Sequence, residues 1–162
     1  MHLKIIMYNT ILVPHAGSAA GDEALKHAIF IAKSSTAKII LLHVVEKLQH
    51  PPTFALSSSE RSTLIASLRD ANESIRKEMI PEMEKRLKIC KENNIKSYTE
   101  ITIGFAAEEI LKMIKNQKVD LVVMAKRRKL KGLKSLLTLG SVSRKIVENT
   151  SCPVLLVDVE KK

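Results

Sequence analysis

Five apolar runs divide the chain, and four of them are continuous rather than alternating. The runs are TILVPH (10–15), AKIILLHVVE (37–46), SYTEITIG (97–104), VDLVVMA (119–125) and CPVLLVDV (152–159). A continuous apolar run is typical of a strand that is covered on both faces of a sheet. The third run alternates apolar and polar residues, so it predicts a more exposed edge strand.

Segments with helical periodicity separate these runs, at 22–35, 59–94, 106–117 and 141–150. Ser18 precedes the first segment and is a suitable helix cap. Ser57 and Glu60 have the spacing of a capping box at the start of the second. Pro81 lies inside that second segment, so we expect it to kink or divide the helix.

The alternation of strands with helix-length connections predicts one fold class. It is an α/β fold with a doubly wound, five-stranded parallel sheet and helices on both faces, in a single domain over 1–162. The first strand is then the central one. The segment 47–59 has two prolines and a serine run and predicts a flexible loop. Ligands of such sheets bind beyond the carboxyl ends of the strands, where the strand order reverses.

Positive charge is concentrated after the fourth run. The formal net charge is +10, and the window 121–147 holds eight Lys or Arg residues and no Asp or Glu. Six of these bases lie between Lys126 and Lys134, in a predicted loop over 125–140 that leaves the carboxyl end of the fourth strand. An ordinary solvated surface mixes its charges, so this basic loop favours a negatively charged partner.

The remaining composition is that of a folded protein that needs no disulfides. The chain is 45% hydrophobic and 27% charged, with only 3% aromatic residues. Cys90 and Cys152 show neither metal-ligand spacing nor a disulfide framework, which favours a reducing cytoplasm. The amino-terminal apolar stretch is too short and broken to predict a signal peptide or a membrane segment.

The sequence TLGSVSRKIV contains the best candidate for an anion site. Gly140 permits close approach of the backbone, and Ser141 begins a helix whose free N–H groups attract anions. Ser141 and Ser143 could add hydroxyl donors to a phosphate. A plain junction between a loop and a helix, with Gly and Ser as cap residues, accounts for the same letters, and the surrounding bases favour the anion site.

No catalytic constellation is evident. The chain has neither a Walker P-loop nor a GxGxxG motif. His43 lies inside an apolar run and is typical of a hydrogen-bonded core histidine. His15 ends the first strand and would face the same crevice as the basic loop, although a structural role accounts for it equally well. We therefore expect a binding protein and not an enzyme.

The basic loop has two alternative roles besides that of an anion site for a small molecule. It could bind the phosphates of nucleic acid. No aromatic residue lies between Phe105 and the carboxyl terminus, however, so bases would have no stacking platform there. It could also be a mobile, solvated loop.

Three segments together resemble the universal stress protein family over nearly the whole chain. TILVPHAGSAAGDEALKHAIFIAK resembles the opening strand, small-residue turn and first helix of the family. AKIILLHVVE resembles its second strand. DLVVMAKRRKLKGLKSLLTLGSVSRKIVENTSCPVLLV resembles its closing half, with the Gly-Ser-Val turn and the Cys-Pro-Val entry to the last strand.

The resemblance implies a regulatory or stress-response protein. One branch of the family binds ATP, and in that branch two glycines, a later Gly-Ser pair and an Asp after the first strand form the site. Gly140 and Ser141 match the pair. The two glycines fall on Ala125 and Arg128, and the Asp falls on Ala16. Arg128 offers a charged fork for phosphate in place of a bare backbone.

The resemblance also implies the partners and the site. We expect ATP or another adenine nucleotide, with Mg²⁺ as an accompanying ion, and a homodimer formed through the last strand at Val154, Leu155, Leu156 and Val157. The alternative is a nucleotide-free dimer whose basic loop docks an acidic protein or nucleic acid. The expected nucleotide-binding residues are Pro14, His15, Ala16, Val44, Ala125, Lys126, Arg127, Arg128, Gly140, Ser141, Val142 and Ser143.

Overall fold

The computed structural model describes residues 7–50, 52–126 and 139–158 of the chain. Most of the expected basic loop over 125–140, with Arg127 and Arg128, therefore lies outside the described residues. Strands and helices alternate in this order: β1 (Thr10–Pro14), α1 (Ala19–Ser35), β2 (Lys38–Glu46), α2 (Ser58–Glu92), β3 (Ser97–Gly104), α3 (Ala106–Asn116), β4 (Leu121–Ala125), α4 (Ser141–Asn149) and β5 (Val154–Val157).

The five strands form one parallel sheet in the order β3-β2-β1-β4-β5. This confirms the predicted fold class, the central place of β1 and the position of β3 at an edge. The last strand is shorter than expected, since it spans Val154–Val157 instead of 152–159. Strand β5 forms the other edge of the sheet.

Alternate residues of the central strands pack into two cores, one on each face of the sheet. Ile11 and Val13 of β1 face α1 and α2, where Met83 is fully buried. Leu12 faces the opposite side, where Ile146 of α4 is also fully buried. Because both faces are covered, the central strands have no polar face, which is why their sequences do not alternate.

Pro81 was expected to kink or divide helix α2, and a division is wrong because the helix is continuous over 35 residues. Pro81 is exposed, and water can therefore satisfy the backbone carbonyl that loses its helical partner there. Met83 and Cys90 are fully buried and anchor the half of the helix after the proline. The capping box of Ser57 and Glu60 is confirmed, and it ends the expected loop 47–59 two residues early.

Candidate functional site

A cleft of about 460 Å³ opens at the carboxyl ends of β1, β2 and β4. Helices α1, α3 and α4 also begin at this cleft, so three helix amino termini lie around it. Its lining residues are Pro14, His15, Ala16, Ser18, Ala20, Gly21, Leu42, His43, Val44, Glu46, Ala106, Ile110, Met124, Ala125, Lys126, Val142 and Ser143.

The cleft lies where the strand order reverses. From β1 the chain continues to its neighbour β2 on one side, while β4 pairs with the other side of β1. The connections on the two sides of β1 lead away from each other, and this leaves a crevice between them. The topology alone therefore places a ligand cleft at this point.

His15 forms part of the cleft wall, but its ring is turned into the protein. The side chain is fully buried, and Nε2 lies 2.9 Å from a carboxylate oxygen of Asp22. The backbone N–H of Gly17 donates to Nδ1 of His15 at 2.9 Å. Nε2 also lies 3.1 Å from the guanidinium Nε of Arg86, so protein groups contact both ring nitrogens. His15 therefore shapes the turn after β1 and offers no ring nitrogen to a ligand.

An arginine from α2 completes this cluster. The guanidinium of Arg86 donates to Asp22 at 2.6 Å, and its side chain is only 11% exposed. Burial, together with the positive charge of Arg86, lowers the pKa of His15, although Asp22 opposes the shift. Burial alone would raise the pKa of Asp22, but its bonds with Arg86 and His15 hold that pKa below the ordinary value. The ring is consequently neutral at pH 7 and the carboxylate is ionised.

His43 joins the ends of the two central strands. Its Nδ1 atom donates to the backbone oxygen of His15 at 2.7 Å, and the residue is 8% exposed. The expected role of His43 as a hydrogen-bonded core histidine is confirmed. The same bond fixes the position of the backbone after β1, where the cleft begins.

The first turn of α4 presents unpaired backbone donors beside the cleft. Gly140 is the helix cap and has no side chain to bond the first amides. The N–H groups of Ser141, Val142 and Ser143 have no acceptor among the described residues. Ser143 is 3% exposed and lines the cleft, and its hydroxyl has no hydrogen bond within the same part of the chain. A positive helix terminus with free donors suits an anion.

The remaining wall of the cleft is mainly apolar. Leu42 and Val44 come from β2, Ile110 from α3, Met124 from β4 and Val142 from α4. An apolar slot beside a few polar donors is the usual composition of a small-molecule site. The arrangement therefore suits a ligand with a flat apolar part and an anionic part.

Lys126 is held at the rim of the cleft by β5. Its backbone N–H donates to the oxygen of Val157 at 2.8 Å. Its ammonium nitrogen lies 3.5 Å from a carboxylate oxygen of Asp158. The lysine expected to neutralise a phosphate thus already has a carboxylate partner, with which a ligand would compete.

The structure brings most of the expected nucleotide-binding residues to one cleft. Gly140 and Ser141 stand beside the cleft without lining it, and Arg127 and Arg128 lie outside the described residues. The other eight line it: Pro14, His15, Ala16, Val44, Ala125, Lys126, Val142 and Ser143.

Several lining residues were not expected from the sequence. Ser18 and Gly21 begin α1, Ala106 begins α3, and Glu46 ends β2. All four lie where a strand ends or the next helix begins. The predicted element boundaries could have pointed to them, because such positions share one edge of a parallel sheet.

The expected Mg²⁺ has no evident protein site in the part of the chain that is described. No group of three or more His, Cys, Asp or Glu side chains there is arranged to hold a metal ion. Glu46 is exposed, and its carboxylate accepts the N–H of Ala106 at 3.4 Å.

In the same ranges, no helix is long and apolar enough to cross a membrane.

The fold and its cleft define the class of protein: a doubly wound α/β protein with a cleft at the reversal of strand order. The family model of the universal stress protein family matches residues 7–158. This chain belongs to that family.

Two relatives support the assignment over most of their length. The universal stress protein MJ0531 of Methanocaldococcus jannaschii is 35% identical over 96% of this chain and 85% of the relative. The universal stress protein YxiE of Bacillus subtilis is 32% identical over 93% of this chain and 99% of the relative. The resemblance inferred from the sequence is confirmed.

Solved structures share the fold. The M. jannaschii protein MJ0577 superposes with a TM-score of 0.77 at 25% identity, over 96% of this chain and 99% of that protein. A universal stress protein in complex with cAMP superposes with a TM-score of 0.63 at 20% identity, over 93% of this chain and 97% of that protein. A family member from Arabidopsis thaliana with AMP bound superposes with a TM-score of 0.58 at 20% identity, over 94% of this chain and 92% of that protein.

Proposed function

We propose that this protein is a cytoplasmic regulatory or stress-response protein that binds an adenine nucleotide in the cleft at the carboxyl ends of β1, β2 and β4. One observation carries the proposal. The first turn of α4 holds backbone donors and a Ser143 hydroxyl that have no partner among the described residues, at the side of an apolar slot. Phosphate suits the donors, and a base suits the slot.

The parts of the nucleotide are assigned by chemistry. The phosphates would accept from the α4 amides and from Ser143, while Lys126 and the basic segment after it supply positive charge. The adenine and ribose would pack between Val44 and the turn after β1, where Ala16 replaces the acidic residue of the family pattern. Family members with cAMP and with AMP bound indicate that this fold accommodates such ligands.

We favour sensing over turnover. Glu46 is the only described Asp or Glu that lines the cleft, and it is exposed and bonded to the start of α3. Phosphoryl transfer to water needs a group that orients the water and a metal that neutralises the leaving charge. The lining that is described offers neither, so occupancy of the cleft would be the signal.

We extend the proposal to a homodimer through β5. This strand is an edge of the sheet, and Val154, Leu155 and Leu156 are only partly buried. A second copy could pair with the side of β5 that has no neighbouring strand among the described residues, and could cover these side chains. Sedimentation of the purified chain checks this, since a monomer at micromolar concentration would contradict it.

Calorimetry on nucleotide-free protein tests the binding. ATP, AMP and cAMP are titrated separately at low and at physiological salt. We expect saturable binding of one nucleotide per chain that persists at physiological salt. Absence of binding, or binding that disappears with salt, would reject the proposal and direct the search to an acidic protein or nucleic acid.

Matched variants locate the ligand. Val142→Trp places a large ring in the cleft and should abolish binding, whereas Val147→Trp lies on the exposed side of the same helix, where Val147 is 43% exposed. Ser143→Ala should weaken binding by about two- to tenfold, the effect of one lost hydrogen bond. Equal loss in the Val142 and Val147 variants would contradict this location.

A further inference from the structure

A second cavity, of about 620 Å³, lies at the β3 edge of the sheet. It is bordered by the segment 47–50 after β2, the first half of α2 and the residues at and just after the end of β3. None of its lining residues lines the nucleotide cleft, so the two sites are separate in the described structure. Its volume is within the range of pockets that hold small molecules.

Apolar side chains from all three segments form the walls of this cavity: Leu48, Ile65, Leu68, Ile103 and Phe105. Several of them remain open to solvent. Leu48 is 41% exposed, Ile65 49% and Phe105 39%. Large apolar residues that surround one hollow and stay exposed mark a binding surface more often than residues scattered singly.

A buried amide faces the cavity with an unused donor. Asn72 of α2 lines the cavity and is only 5% exposed. Its side-chain oxygen accepts the N–H of Leu48 in a long hydrogen bond of 3.5 Å, which favours this orientation of the amide. The Nδ2 group has no acceptor among the described residues.

The NH₂ group of Asn72 nevertheless reaches open space. Among the described residues, every side-chain nitrogen or oxygen that is sealed from solvent has a hydrogen-bond partner. The Nδ2 atom of Asn72 has none there, so it is not sealed. The space that Asn72 borders is this cavity. Water can accept from this donor within the cavity, and a ligand that carries an acceptor could replace that water at the same point.

The charges around the cavity favour an acidic acceptor. Lys47 and Arg69 both line it, and the ammonium group of Lys47 has no ion pair in the ranges described. Arg69 lies 3.8 Å from Asp70, and both side chains are more than three-quarters exposed, so this pair is weak. Glu73 also lines the cavity, but its carboxylate is already paired with Arg76 at 3.1 Å.

We propose that this cavity binds a small amphipathic carboxylic acid, with an alkyl chain against the apolar walls and the carboxylate on Asn72. The carboxylate accepts from the Nδ2 group, and Lys47 and Arg69 supply the opposite charge at the rim. A neutral alcohol would satisfy Asn72 without using the two cations, and an alkyl cation would be repelled by them.

Titration of the full chain with sodium decanoate, kept below its micellar concentration, tests the site. We expect saturable binding of one decanoate per chain, weaker binding of decanol and none of decyltrimethylammonium. Added ATP should not compete, because the cavities do not share residues. Failure of decanoate to bind, or equal affinity for the cation, would overturn the proposal. The proposed nucleotide site would be unaffected by that result.

Asn72→Asp is the decisive variant. It keeps an oxygen for the N–H of Leu48 but replaces the donor by a carboxylate oxygen, so decanoate affinity should fall by about tenfold or more. Asn94→Asp is the matched control, because Asn94 is exposed and precedes the opposite end of β3. An equal effect of both changes, or no effect of Asn72→Asp, would overturn the assignment.

A second pair of variants guards against misfolding of a buried aspartate. Ile65→Asp places a carboxylate on the cavity wall, at a position that is 49% exposed. Ile75→Asp makes the same change on the same helix at a residue that does not line the cavity, where the side chain is 40% exposed. Decanoate affinity should fall at least tenfold for Ile65→Asp alone. Unchanged affinity for Ile65→Asp would overturn the proposal.

Discussion

The imidazole of His15 and the carboxylate of Asp22 are hydrogen-bonded at 2.9 Å across the turn that joins β1 to α1. The bond closes the loop that forms one wall of the cleft. Gly21 provides the space for the ring, because a Cβ atom at this position would lie 2.8 Å from two atoms of the imidazole. The position of the cleft wall therefore depends on a buried contact between a ring and a glycine.

Gly21→Ala should destabilise the protein, although alanine is usually the better residue in a helix. The added methyl group would collide with the His15 ring, which is locked by its bonds to Gly17 and Asp22. We expect the free energy of unfolding to fall by about 1–3 kcal/mol, as for other overpacked sites. Urea unfolding at pH 7 measures this.

The control is the same substitution in a His15→Ala background. Without the ring there is space for the methyl group, so Gly21→Ala should no longer destabilise the chain. An equal loss of stability in both backgrounds would show that the ring is not the obstacle.

Acidification should weaken the fold through His15. Because burial and Arg86 lower its pKa in the folded state from the ordinary 6.5, the unfolded chain takes up a proton at higher pH than the folded chain does. The contribution of the neutral His15 ring to the free energy of unfolding is complete above pH 6.5. It is lost as the pH falls from 6.5 towards the folded-state pKa of His15. Asp22 adds a further loss below pH 3.8, its ordinary pKa.

Unfolding curves between pH 7.5 and 5 test the assignment to His15. His15→Asn should flatten the dependence of unfolding free energy on pH, whatever its effect on stability at pH 7.5. His27→Asn is the control, since His27 lies exposed on α1. A slope that is unchanged by His15→Asn would assign the effect to other groups.

Asp158→Asn should tighten nucleotide binding at low salt. The carboxylate of Asp158 lies 3.5 Å from Lys126 and competes with a phosphate for the same ammonium group. The pair is partly exposed, so we expect a gain of up to about fivefold in ATP affinity, which salt should reduce. Calorimetry with ATP measures this.

Glu108→Gln is the matched control for that experiment. It removes the same charge from a pair with Lys145, 3.3 Å apart, and neither residue lines the cleft. An equal gain in both variants would reflect the overall charge of the chain and not the release of Lys126.

The fold could be predicted from the sequence because its signals are local. Unbroken apolar runs marked the central strands, and the alternation in 97–104 marked the edge strand β3. The local rule for Pro81 left a division of the helix open, since it does not register that Met83 and Cys90 are buried and anchor the part of the helix after the proline.

The candidate site could be predicted only in part. The resemblance to the family implied Pro14, Val44 and Ala125 as site residues, and the structure brings them to one cleft. The partners of His15 could not be predicted, because Arg86 is 71 residues away and only the packing of α2 brings it near. Asn72 was missed for the same reason, since its contact with Leu48 spans 24 residues.

The contacts of Lys126 with β5 and the residue after it connect the rim of the cleft to an edge of the sheet. Val157 binds the lysine through the backbone, and the next residue, Asp158, binds its ammonium group. A ligand that draws the Lys126 side chain into the cleft would break its contact with Asp158, and a second chain that pairs along β5, as proposed, would restrain the same end of the strand. Ligand occupancy and self-association would then share one coupling free energy, and each would change the equilibrium constant of the other by the same factor.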